Sequence, residues 1–106
     1  MATKTQIRRS QRPGEVLRDV YLAPREISVA EFAAACGVTD KHMHAIVSGR
    51  APQLTATMAI RIATALGTTP EYWLDLQRAV ELDDARARIT ASGKRPRAMA
   101  IEEARA

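Results

Sequence analysis

The chain has 106 residues, one cysteine and a formal net charge of +4, which is the length of a single domain. The lone Cys36 excludes an intramolecular disulfide and a multi-cysteine zinc site, and fits a reducing cytoplasm. No run of about 18 apolar residues is present, and no apolar stretch follows the charged N-terminus, so neither a transmembrane helix nor a secretory signal is expected.

The charge is unevenly placed. Residues 1–12 carry +4 (Lys4, Arg8, Arg9, Arg12), residues 13–90 carry −2, and residues 91–106 carry +2. This divides the chain into a basic arm (1–12), a mildly acidic body (13–90) and a basic tail (91–106) that either lacks fixed structure or orders only on binding. Basic ends attract polyanions through counterion release, so the arm is expected to add charge to binding and not sequence reading.

The body reads as all helix, in five segments. The first runs from about Pro13 to Leu22. Pro13 suits a first helical turn, Val16, Leu17, Val20 and Tyr21 form one apolar face, and Pro24 is expected to end the helix. The second runs from Ser28 to Cys36. Ser28 and Glu31 have capping-box spacing, Val29, Phe32, Ala33 and Cys36 make the buried stripe, and Gly37 follows as the stop. The third spans about Asp40 to Ser48, with Thr39 as N-cap, Met43, Ile46 and Val47 facing inward, and Gly49 closing it. The fourth, from Thr55 to Leu66, repeats Met58, Ala59, Ile62 and Ala63 at helical spacing and stops at Gly67. The fifth opens on Thr69-Pro70-Glu71, carries Trp73, Leu76 and Val80, and is expected to reach about Leu82, with DDARARI either extending it or forming a further short helix.

The second and third segments have the plan of a helix-turn-helix. Ala33 is small where two helices cross closely. Gly37, four residues on, supplies a left-handed turn, and Met43, six further, anchors the second helix in the core. With Met43, Ile46 and Val47 inside, Thr39, Lys41, His42, His44 and Ala45 face outward. Lys41 suits a guanine edge or a phosphate, the histidines suit base or backbone hydrogen bonds, and Ala45 suits close approach or a thymine methyl. Arg50 is placed for phosphate, and Ser48, Gln53 and Thr55 can add neutral phosphate contacts. Asp40 opposes phosphate, and suits either the helix start or a hydrogen bond accepted from a cytosine amine.

Chemistry of other kinds finds no support. His42 and His44 point about 200° apart on a helix and cannot share an ion. Cys36 closes a buried stripe and reads as a small core residue. The sequence offers no Ser–His–Asp set, no paired carboxylates and no glycine-rich phosphate loop, so neither enzyme activity nor a cofactor is expected.

The segments RPGEVLRDVYL, AEFAAACGVTDKHMHAIVSGR and TATMAIRIATALGTTPEYWLDLQ, with AVEL after them, resemble HigA-type antitoxins within the Xre/Cro-like helix-turn-helix group. The resemblance covers about residues 12 to 90, and PGE and GTTPEYWLDLQ are its most telling parts. Arg12 stands where the family pattern often has His, and Val29 where it usually has Gln. The resemblance implies a lambda-repressor-like five-helix domain and a homodimer that represses its own operon. It also implies a RelE-like (HigB-type) toxin as partner, an endoribonuclease that cuts mRNA. Dimer contacts are expected after Glu71. A stand-alone Xre-type repressor and a protein-interaction module with vestigial DNA binding are the alternatives.

Overall fold

In the computed structural model, which describes residues 11–51 and 53–101, five α-helices and no strands build the described part of the chain. They are α1 (Pro13–Val16), α2 (Val29–Cys36), α3 (Asp40–Ser48), α4 (Ala56–Leu66) and α5 (Pro70–Ser92). Leu17, Met43, Ile62 and Trp73, from four separate pieces of chain, are the largest fully buried side chains and meet in one core. Among the described residues no helix is long and apolar enough to cross a membrane. Most of the basic arm, residues 1–10, lies outside the described residues, as do Pro52 and residues 102–106 of the tail.

The expected caps form. Ser28 accepts the Glu31 N–H while Glu31 accepts the Ser28 N–H, at 3.0 and 2.9 Å. The side chains of Thr39 and Thr69 each accept the N–H three residues on, and so does Thr55, which the sequence marks only as the start of the fourth segment; Gly37, Gly49 and Gly67 take left-handed backbone at the opposite ends.

One expectation needs correction. The first segment is not one regular helix ended by Pro24. After α1 it widens into a π turn (Leu17–Leu22) and then tightens into a 3₁₀ turn (Ala23–Arg25) that contains the proline. Pro24 has no N–H to give the Val20 carbonyl, and the Arg25 guanidinium donates to the Val20 and Tyr21 carbonyls instead, at 3.2 and 3.0 Å. The wider turn rotates Val20 off the apolar face, and it is 50% exposed.

Of the two readings of DDARARI the extension holds: the fifth helix continues past Leu82 to Ser92, capped by Gly93. The stripe ends at Val80, yet alanine and arginine keep favouring helix through residues 85–88. Beyond Gly93, residues 94–101 are exposed and hold no regular element.

Candidate nucleic-acid interface

The turn between α2 and α3 is built as the spacing demands. Ala33 is fully buried, Gly37 has φ 76°, and Met43 is fully buried beneath α3. Val38 N–H donates to the Ala33 carbonyl and Gly37 N–H to that of Ala34, which is a Schellman closure of α2.

At about 100° per residue, Lys41, Ala45 and Ser48 lie opposite the buried Met43, Ile46 and Val47, with His42 and His44 on either flank. Lys41, His42 and His44 are exposed and form no side-chain bond among the described residues, while Ala45 is half-buried. Thr39 is exposed at the helix start. Its oxygen accepts the His42 N–H at 3.1 Å, which leaves its hydroxyl hydrogen available outward. Asp40 follows in the first turn, where a carboxylate suits the positive end of the helix.

The remaining candidates lie at the end of α3 and in the loop after it. The Ser48 hydroxyl donates back to the Ala45 carbonyl at 3.4 Å. Arg50 is exposed just past the Gly49 cap. Gln53 donates to Glu81 of α5 at 3.3 Å, and Thr55 caps α4. Gln53 and Thr55 therefore have local structural roles that the sequence reading did not give them.

Three supporting residues were missed. Gly14 of α1 lies where a side chain would strike the backbone of α3 at Ile46. Gln77 of α5 accepts the Leu54 N–H and donates to Glu81, at 3.3 and 3.1 Å, and so holds the loop after α3. Arg61 of α4 donates to the Cys36 carbonyl at 2.8 Å. No periodicity announces the Gly14 crossing, Gln77 on Leu54 or Arg61 on Cys36, because each joins segments distant in sequence.

The opening Arg-Pro-Gly-Glu now has a physical reading. Glu15 accepts the Arg12 N–H at 3.0 Å, Pro13 opens α1, and Gly14 permits the close crossing with α3. The Arg12 guanidinium stands 3.5 Å from Asp84 of α5, an exposed pair worth little by itself. Among the described residues no group of three His, Cys, Asp or Glu side chains stands close enough to hold a metal.

No protein-family model matches the chain. It is 40% identical over 87 residues to antitoxin HigA-1 of Vibrio cholerae, covering 82% of this chain and 81% of the relative. Among solved structures it superposes on the Pseudomonas aeruginosa antitoxin HigA, solved with the higBA promoter, with TM-score 0.74 and 32% identity over 81% of this chain and 92% of that one. It also superposes on antitoxin GraA in complex with its operator, with TM-score 0.76 and 34% identity over 93% of this chain and all of that one. The Gly37 turn, the outward face of α3 and the identity to HigA-1 agree, and the chain belongs to the HigA family of helix-turn-helix antitoxins.

Proposed function

We propose that the protein is the antitoxin of a type II toxin–antitoxin pair. It binds a RelE-like toxin and represses its own operon as a cytoplasmic, sequence-specific DNA-binding dimer. It has no enzymatic activity and needs no cofactor. The observation that carries the DNA half is the outward face of α3, where Lys41, His42 and His44 stand exposed on a helix anchored by Met43. The HigA and GraA relatives solved on promoter and operator DNA support the same reading.

In this reading α3 enters the major groove. Lys41 donates to a guanine edge or a phosphate, His42 and His44 hydrogen-bond at the groove walls, and Ala45 lets the helix approach a thymine methyl. Thr39, Ser48, Arg50, Gln53 and Thr55 contribute phosphate contacts from the helix start and the following loop.

Residues 13–90 are net acidic, so one copy offers little attraction to DNA. A dimer places two recognition helices about 34 Å apart, one turn of DNA. Leu82 and Ile89 support it: seven residues apart on α5, they remain 44% and 40% exposed.

The test titrates the chain's own promoter and a random duplex at two salt concentrations, with sedimentation to count subunits. Equal affinity for both duplexes removes the repressor. Co-purification with the product of a neighbouring RelE-like reading frame tests the toxin half; a chain that discriminates DNA but captures no such product is a stand-alone repressor.

A further inference from the structure

The Schellman bonds at the end of α2 occupy the Ala33 and Ala34 carbonyls and do not reach that of Cys36. A helix end leaves such carbonyls needing donors from elsewhere. Arg61, 25 residues on and in the middle of α4, supplies one: its Nη1 donates to the Cys36 oxygen at 2.8 Å. The same nitrogen lies 2.8 Å from where a Cβ on Gly37 would stand, so the guanidinium lies across the turn itself. A cation at a helix C-terminus also meets the negative end of the helix dipole. Arg61 thus fastens to α4 the end of α2 at which the turn into α3 begins.

We propose that Arg61 is a positioning residue for base recognition: it fixes the angle at which α3 leaves the Gly37 turn, and so sets sequence discrimination without touching DNA. The proposal rests on the DNA-binding reading of α3. Base-edge hydrogen bonds need side chains held to about 0.5 Å, whereas phosphate attraction is long-ranged and tolerant. Loosening the turn therefore degrades operator binding and leaves random binding nearly unchanged.

The experiment uses the full chain, as Arg61→Met and Arg61→Lys, at a temperature where circular dichroism shows each variant folded. Each is titrated with its own promoter duplex and a random duplex of equal length across several salt concentrations. Arg61→Met is expected to lose about tenfold in operator affinity, with random-DNA affinity and the salt slope unchanged. Equal loss on both duplexes with the slope reduced by about 0.9 makes Arg61 a phosphate contact and overturns the proposal. An unchanged operator-to-random ratio overturns it as well. Should the Met variant not fold, Arg61→Lys decides: its single ammonium cannot span the turn as the guanidinium does, so a lowered ratio supports the proposal and an unchanged one overturns it. A wild type that binds both duplexes equally sinks the DNA-binding reading. A discriminating wild type beside an equally discriminating variant sinks only the role of Arg61.

Discussion

Gly14 of α1 lies against the carbonyl of Ile46 in α3: a Cβ at position 14 would overlap that oxygen and stand 3.2 Å from the Val47 Cα. Both partners are backbone, so neither can swing aside. Gly14 lacks the positive φ that would itself demand glycine. On chain entropy alone alanine would therefore stabilise by about 0.4–1 kcal/mol. The close crossing reverses that sign. Gly14→Ala is expected to destabilise by about 1–3 kcal/mol, the usual cost of overpacking, as read from the urea midpoint. A gain in stability would show that α1 can shift freely off α3.

Lys41 and Arg50 carry the formal positive charge at the proposed DNA face. The Lys41→Ala/Arg50→Ala double variant is expected to weaken operator binding by roughly 2–4 kcal/mol and to leave thermal stability within about 0.5 kcal/mol. Electrophoretic or fluorescence titration reads the first and a melt the second. Operator affinity equal to wild type would favour an interaction module with vestigial DNA binding.

Trp73 is fully buried at the start of α5, and its indole N–H donates to the Thr68 hydroxyl at 2.8 Å. Tyr21 and Tyr72 pack on its ring at centroid distances of 5.4 and 5.0 Å. Thr68→Val keeps the shape but strands that donor in the core, at an expected cost of about 1–3 kcal/mol. As the single tryptophan, Trp73 reports on its own unfolding by fluorescence. A variant as stable as wild type would mean that the indole reaches another acceptor.

Burial pushes the Cys36 thiol above its ordinary value near 9.0, and the Arg61 charge opposes this only in part. The folded state then holds the thiol proton where the unfolded chain releases it. The stabilisation is complete below the unfolded pKa and is lost as pH rises through the folded one. Stability should therefore decline above about pH 9, and Cys36→Ala should flatten that decline. Tyr72, raised first by burial and then by its hydrogen bond to Tyr21, acts in the same direction at higher pH. Urea melts from pH 7 to 10.5 check this; identical slopes for wild type and Cys36→Ala would exclude the thiol.

What could be seen beforehand was local. Ser28 with Glu31, Thr69 before Pro70, and glycines at 37, 49 and 67 mark helix ends through bonds that span a few residues, and each formed. Ala33, Gly37 and Met43 announced the turn for the same reason. The segment before Pro24 misled because a proline's missing N–H can be covered by a side chain, here Arg25, and the chain then winds on. The stripe that ends at Val80 left the length of α5 open, since a helix can outrun its buried stripe when propensity carries it. At the candidate interface the exposed Lys41, His42 and His44 followed from periodicity. Arg61 on Cys36 and Gln77 on Leu54 did not, because they are meetings of α4 and α5 with distant backbone.

The wide turn after α1 amounts to one residue more than a regular helix would hold. Leu17 and Leu22 are both buried although five positions apart, a spacing that would put them about 140° apart on an α-helix. The chain at this point behaves as though it had accepted an insertion and kept both anchors. Removing one exposed residue, such as Val20, should set the leucines four apart and return the stretch to ordinary helix. An extra residue at the same place has no wider turn to occupy. This stretch should therefore tolerate shortening better than lengthening, and the urea midpoints of the two length variants would show the asymmetry.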